Sequence, residues 1–124
     1  MKFAYTRLVT DDVESLAAFY ERLIGTPAHG DDQYVELRPE GAILALVSRK
    51  AAEFMHGGSW DAAANRSAIL EFSVDDVDAE RERLDGFVTD WIQEPKDMAW
   101  GNRSMLFRDP DGNAINFFKP LNKA

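Results

Sequence analysis

The feature that most constrains the fold is a short segment that occurs twice. Residues 10–14 read TDDVE and residues 74–78 read VDDVD, an offset of 64 residues in a chain of 124. An apolar strand pattern precedes each copy, and a helical pattern follows each copy. Aspartate before a helix accepts hydrogen bonds from free backbone N–H groups, so each copy predicts a helix start. Because the offset is just over half the chain, it indicates two successive copies of one structural unit.

Strand patterns before and after the two helices complete each unit. The predicted strands lie at residues 3–9, around 28, at 33–37 and 42–47, and then at 68–74, 88–93, 102–108 and 114–118. Asp109-Pro110-Asp111-Gly112-Asn113 is typical of a tight turn between the last two. Each half therefore reads strand, helix, strand, strand, strand. This order predicts an α+β protein built from two tandem βαβββ modules.

The predicted organisation is a single domain over residues 1–124. Module 1 covers about 1–48, a linker covers 49–65, and module 2 covers about 66–120. A short helix is expected at 51–55 within the linker. Phe54 and Trp60, also in the linker, are aromatic residues placed to fold over a cleft.

Composition limits the classes of function. Asp and Glu number 22 against 14 Lys and Arg, which gives a net charge of −8. This charge disfavours nucleic acid as a partner and suits a neutral or cationic ligand. The absence of cysteine excludes thiol nucleophiles and thiolate metal sites. The sequence has no targeting signal at its start and no apolar run near the ~20 residues of a membrane span, so we expect a cytoplasmic protein without a membrane partner.

Four motifs together point to a known superfamily. They are Asp12 followed by Phe19-Tyr20, the segment 74–78, the run WGNR at 100–103, and the run RDPDGN at 108–113. Over nearly the whole chain, these residues resemble the vicinal-oxygen-chelate superfamily, which includes glyoxalase I, extradiol dioxygenases and bleomycin-resistance proteins. The WGNR run looks more like the metal-free, bleomycin-resistance branch. The resemblance implies a curled mixed sheet around a cup-shaped cleft, with helices on the outer face, and a homodimer.

The resemblance also allows a test for metal ligands. Metal-using members hold a divalent ion with side chains from the first, fourth, fifth and eighth strands. In this chain those positions fall on Tyr5, within residues 44–47, on Ile69 and on Asn116. Isoleucine does not coordinate a metal, residues 44–47 contain no ligand, and a phenol and a carboxamide are poor substitutes. We therefore expect no metal and no other cofactor.

Strand alternation assigns side chains to the cleft face. On the fifth strand the large apolar residues are 70, 72 and 74, so Glu71 is expected to face the cleft. The face of Trp91 and Trp100 stays open, because Pro95 and the residues after it interrupt the register. The predicted ligand-binding residues, which combine cleft-facing positions with nearby aromatic and polar side chains, are Tyr5, Arg7, Glu71, Trp91, Gln93, Trp100, Arg103, Asn116 and Phe118.

Two functions are consistent with these residues. The first is a metal-independent small-molecule binding protein that sequesters an antibiotic or aromatic metabolite in an aromatic-lined cleft. The alternative is a glyoxalase-like lyase or isomerase that acts on a small carbonyl substrate, with Glu71 or Tyr5 as acid or base. Glu71 is the best catalytic candidate, although pairing with Arg7 or Arg103 across the cleft is favoured over catalysis. Turnover of the ligand distinguishes the two functions.

Overall fold

Each half of the chain forms a βαβββ module with its own four-stranded sheet. The computed structural model describes residues 1–121 and separates two compact units, Met1–Ala64 and Asn65–Ala124. The predicted α+β class and the tandem arrangement of modules are confirmed.

Module 1 contains four strands and two helices. They are β1 (Tyr5–Thr10), α1 (Val13–Ile24), β2 (Ala28–Gly30), β3 (Tyr34–Leu37), β4 (Ile43–Ser48) and α2 (Arg49–His56). The strand order across the sheet is β1-β4-β3-β2. The first strand pairs with β4 in parallel, and the remaining neighbours are antiparallel.

Module 2 repeats this topology with one helix. Its elements are β5 (Ile69–Ser73), α3 (Val77–Arg83), β6 (Trp91–Asp97), β7 (Asn102–Arg108) and β8 (Ala114–Pro120). The strand order is β5-β8-β7-β6, with β5 and β8 parallel and the others antiparallel.

The repeated Asp-Asp-Val segments cap equivalent helices in the two modules. Asp12 Oδ1 accepts a hydrogen bond from the backbone N–H of Ser15 at 3.0 Å. Asp76 Oδ1 accepts the equivalent bond from Ala79 N–H, also at 3.0 Å. Each carboxylate satisfies a backbone donor that has no partner inside its helix, and it lies at the positive end of the helix dipole. The sequence repeat thus corresponds to a repeated helix start.

In module 1 the central strand is buried on both faces. Residues 44–47 of β4 are all buried. The face that carries Leu44 and Leu46 packs against α1, whose buried side chains include Leu16, Tyr20 and Leu23. The opposite face is contacted by α2, which packs on β1 and β4.

In module 2 the core lies between the sheet and α3. Met105, Phe107, Ile115 and Phe117 are buried on one face of β7 and β8, where Phe107 and Phe117 have their ring centroids 5.2 Å apart. The predicted turn at 109–113 joins these strands. The buried Asp109 holds it, with Oδ1 accepting from the N–H groups of residues 111 and 113.

Most predicted strands shift by one or two residues at their ends, and two further differences change the description of an element. The strand expected at 88–93 lies instead at 91–97, because Val88 makes only an isolated bridge with Asp85. Pro95 is accommodated since β6 is an edge strand with register shifts on both sides of Gln93. The linker expected over 49–65 begins with the two-turn helix α2, which is longer than the predicted 51–55.

None of the helices within residues 1–121 combines the length and the apolar character that crossing a membrane requires.

The two caps give a direct test of the repeat. Asp12→Ala and Asp76→Ala are each expected to lower the free energy of unfolding by about 1 kcal/mol, because each removes the acceptor at a helix N-terminus. Urea unfolding followed by circular dichroism measures this change. Asp75→Ala is the matched control, since Asp75 is exposed and lies next to the cap residue. An equal loss in Asp75→Ala and Asp76→Ala would contradict the capping role.

Candidate functional site

A cavity lies in module 1 between the sheet and α2. Its volume is about 480 Å³, and its lining residues come from β1, β4, α2 and the segment after α2: Arg7, Val9, Val47, Ala52, His56 and Trp60. The volume is within the range typical of small-molecule pockets. An apolar floor with a few polar groups at one end is the usual composition of such a site.

The first residues of α2 hold the helix over this face of the sheet. Ser48, the last residue of β4, is the N-cap of α2 and accepts a hydrogen bond from Ala51 N–H at 3.0 Å. Arg49 then forms a bidentate pair with Asp11, with Nη2 to Oδ2 at 2.9 Å. Because β4 turns directly into the helix, α2 has no free linker and stays close to the sheet. Ala52, its buried residue, contributes to the cavity wall.

Arg7 connects the helix to the sheet. Its Nη1 lies 2.9 Å from His56 Nε2 at the end of α2, and its Nη2 donates to the Tyr34 hydroxyl at 3.1 Å. Arginine carries only N–H donors, so Nε2 of His56 is the acceptor. The ring proton of neutral His56 is therefore on Nδ1 in this arrangement.

Tyr34 and Glu36 extend the polar network along β3. The Tyr34 hydroxyl donates to Glu36 Oε2 at 2.7 Å, and Glu36 Oε1 accepts from Arg38. Burial and the bond to Glu36 raise the pKa of Tyr34, while the Tyr34 hydroxyl and Arg38 lower the pKa of Glu36. The Tyr34 phenol therefore loses its proton at a lower pH in the unfolded chain than in the folded chain. The stabilisation that the protonated phenol gives the folded chain falls as the pH rises above the ordinary tyrosine pKa of about 10.

The two linker aromatics have different positions. Trp60 lines the cavity, is 40% exposed, and donates from Nε1 to the carbonyl of Gly57 at 2.8 Å. This bond fixes the orientation of the indole ring. Phe54 is 91% exposed and lies outside the cavity lining.

Module 2 presents a different polar pair on the face away from α3. Glu71 and Asn116 are register partners on β5 and β8, and Asn116 Nδ2 donates to Glu71 Oε2 at 2.6 Å. The partner of Glu71 is thus Asn116 and not Arg103. The Asn116 Oδ1 atom is buried and has no hydrogen-bond partner among the described residues. Phe118 shares this face with Asn116, two residues further along β8.

Gln93 lies on the same face as Glu71. Its Nε2 donates to the carbonyl of Ser104 at 3.2 Å. Ser104 pairs with Phe118, and Leu106 pairs with both Gln93 and Asn116, which places all of them on one side of the sheet.

Three other predicted ligand-binding residues lie elsewhere. Trp91 pairs with Phe107 and lies on the α3 side, where the Arg81 guanidinium stacks 4.0 Å from the indole centroid. Arg103 also lies on the α3 side, because it is in register with Lys119 rather than Phe118. Trp100 is 72% exposed in the turn between β6 and β7. Trp91 and Arg103 therefore lie on the side of the sheet opposite Glu71, whereas the sequence analysis grouped them with it as ligand-binding residues.

A smaller cavity of about 290 Å³ surrounds Arg103. Arg103 donates to Asp78 at 2.8 Å and to Asp97 at 2.9 Å, which raises the pKa of the guanidinium and lowers that of Asp78. These ion pairs tie α3 to β6 and β7. Arg103 is thus already occupied by two carboxylates.

The donor set does not fit the metal that the fold implies. Tyr5, at the start of β1, is exposed and offers only a phenol oxygen. Ile69 begins β5 beside Ala114, and its hydrocarbon side chain offers no ligand atom. Asn116 is bonded to Glu71. Within residues 1–121, no three His, Asp or Glu side chains come close enough to form a metal site.

The sequence analysis missed His56, which lines the module 1 cavity, and it missed Tyr34 and Glu36, which form the polar network beside it. Tyr34 and Glu36 alternate with the buried Val35 and Leu37, which is the signal that places both on the face of Arg7. His56 gave no comparable signal, because its position depends on the length and direction of α2.

Comparisons with known proteins agree on the fold. The pattern of the Glyoxalase/Bleomycin resistance protein/Dioxygenase superfamily matches residues 2–117. The chain is 28% identical to the uncharacterized protein YraH of Bacillus subtilis (strain 168), covering 98% of this chain and 100% of that one.

Solved structures give the same result. A glyoxalase/bleomycin resistance protein/dioxygenase from Nocardioides superposes with a TM-score of 0.83 at 22% identity, covering 100% of this chain and 86% of that one. A lactoylglutathione lyase from Agrobacterium tumefaciens superposes with a TM-score of 0.72 at 21% identity, covering 95% and 92%. At these identities, the two likenesses show the fold alone.

The polar network of module 1 can be tested by titration. Glu36→Gln is expected to lower the pKa of Tyr34, because it removes an anion and leaves the Arg7 cation, which favours phenolate. Ultraviolet absorbance follows the titration, with Tyr34→Phe identifying the Tyr34 component. Glu40→Gln, in the turn between β3 and β4, is the control and should change nothing. A Tyr34 pKa that stays constant or rises in Glu36→Gln would refute the network.

Proposed function

Since the chain belongs to the Glyoxalase/Bleomycin resistance protein/Dioxygenase superfamily, we propose that it is a metal-independent small-molecule binding protein of the bleomycin-resistance type. It sequesters a planar aromatic metabolite or antibiotic by holding it, unchanged, in a protein cavity.

The cavity between α2 and the sheet of module 1 is the observation that carries this proposal. Its apolar wall of Val9, Val47 and Ala52 suits the faces of an aromatic ring. The indole of Trp60 is fixed by its bond to Gly57, so stacking on it costs little conformational entropy. The polar side chains of the lining include Arg7 and His56, which can orient the ligand by hydrogen bonds.

Metal independence is supported by the side chains at the positions that the superfamily uses for metal. A phenol, an isoleucine and a carboxamide at Tyr5, Ile69 and Asn116 do not make a divalent cation site.

A second candidate function rests on Glu71. Its exposed carboxylate is held by Asn116 on the face of module 2 away from α3. A positioned carboxylate of this kind suits a general base in a lyase or isomerase acting on a small carbonyl substrate. The likeness to a lactoylglutathione lyase is in accord with this alternative. Tyr5, exposed on β1, is the other acid–base candidate.

We further propose a cytoplasmic homodimer. The strands β1 and β5 are at sheet edges, and Phe3 just before β1 and Ile69 on β5 are 82% and 53% exposed. Apolar side chains on open strand edges favour pairing with a second copy.

Native mass spectrometry tests both the metal and the dimer proposals. With and without added Zn²⁺, Ni²⁺, Mn²⁺ or Fe²⁺, the expected mass is that of a dimer without stoichiometric metal. One bound ion per chain would overturn metal independence, and a monomer mass would overturn the dimer.

The cavity itself is tested with a neutral aromatic probe, 2-naphthamide. Calorimetry is expected to show one probe bound per chain, and Trp60→Ala is expected to weaken binding about tenfold because it removes a fixed aromatic wall. Phe54→Ala is the matched control: it removes an aromatic ring from the same segment, but outside the cavity, and should leave the affinity unchanged.

The outcomes separate the two candidate functions. Loss of binding in Trp60→Ala, with the probe recovered intact, supports sequestration. Equal affinity in Trp60→Ala and wild-type protein contradicts the cavity as the binding site. Conversion of a small carbonyl compound that is lost in Glu71→Gln would instead favour the enzyme.

A further inference from the structure

Arg7 differs from most arginines of this chain in its electrostatic partners. Arg38, Arg49, Arg81, Arg83, Arg103 and Arg108 each lie within 4.0 Å of a carboxylate oxygen. In the part of the chain that the structure describes, Arg7 has no such ion pair. Its hydrogen-bond partners are the neutral groups of His56 and Tyr34. A guanidinium stays protonated at any physiological pH, so a positive charge with no directly paired carboxylate among the described residues lies at the cavity; the carboxylate of Glu36 lies beyond the Tyr34 hydroxyl.

We infer that the ligand of the module 1 cavity is a planar aromatic acid, whose carboxylate pairs with Arg7 while its ring lies against Trp60. This inference rests on the proposed function, and it adds the chemical class of the ligand.

The donors of Arg7 are sufficient for this role. A guanidinium has five N–H groups, and the bonds to His56 and Tyr34 use two of them. The remaining N–H groups are enough for the two parallel bonds that a carboxylate accepts from arginine. Arg7 is also held by the rings of Tyr5 and Tyr34, whose centroids lie 5.7 and 5.3 Å from its central carbon. The charge is therefore positioned before a ligand arrives.

Local charge outweighs the net charge of −8 here. Salt screens exposed charges beyond a Debye length of about 8 Å, so distant carboxylates have little effect at the cavity. The carboxylate in the same network is Glu36, and it is already neutralised by Arg38 and bound by the Tyr34 hydroxyl. Among residues 1–121, the cavity lining contains one charged side chain, Arg7, and no Asp or Glu. A cationic ligand would therefore meet a like charge in this cavity.

Three probes that share one ring system test the inference by calorimetry: 2-naphthoate, 2-naphthamide and 2-naphthylmethylammonium. The naphthoate is expected to bind about 10- to 100-fold more tightly than the amide, as a charge-assisted pair with arginine implies. Arg7→Gln is expected to remove this preference while the amide still binds. Lys50→Gln is the matched control, because it removes an equal charge from the exposed side of α2 and should preserve the preference.

The three probes test the ligand class separately from the claim that the cavity is the binding site. Equal binding of naphthoate and naphthamide, or tighter binding of the ammonium probe, overturns the inference and leaves the proposed function intact. Failure of all three probes to bind overturns both. Thermal unfolding of Arg7→Gln and a second variant, Arg7→Lys, shows whether the fold is kept. Arg7→Lys retains the charge but not the planar pair of donors, so it should keep only part of the preference.

Discussion

The parallel pairing of β1 with β4 is the constraint on which the module 1 cavity depends. It sets Arg7 beside Ala45 and Val9 beside Val47, so a cation and an apolar wall share one face of the sheet. The same β4 strand ends at Ser48, which caps α2 and directs that helix over this face. A shift of register by one residue would turn Arg7 toward the α1 core. The strand pairing thus decides both the lining of the cavity and its cover.

The two modules share a topology but present different chemistry. Each has a capped helix after its first strand, and each places its first strand beside its last. In module 1 the face opposite the long helix has Arg7 and is contacted by α2. In module 2 the equivalent face has Glu71 bonded to Asn116, and α3 packs on the other side. The duplication therefore accounts for the scaffold, while a few side chains and one additional helix differentiate the faces.

Periodicity in the sequence was sufficient for the fold, but of the residues that line the module 1 cavity it predicted only Arg7 as a ligand contact. Alternation on β1, β5 and β8 predicted the faces on which Arg7, Glu71 and Asn116 lie. Once the apolar residues of a strand are assigned to the helix-facing side, the residues between them must lie on the opposite side. Alternation failed for Trp91, since the register shifts in β6 are a property of strand pairing and not of the local pattern. It also gave no sign of His56 beside Arg7, a contact across 49 residues that depends on where α2 lies.

The central claim is that the aromatic ligand binds in the module 1 cavity. Backbone ¹H–¹⁵N chemical-shift mapping of ¹⁵N-labelled protein, saturated with 2-naphthoate, tests it most directly. The account predicts that the largest shifts fall on residues lining that cavity, in particular Val9, Ala52 and Trp60. Largest shifts around Glu71 and Asn116 would contradict it and would place binding on the open face of module 2.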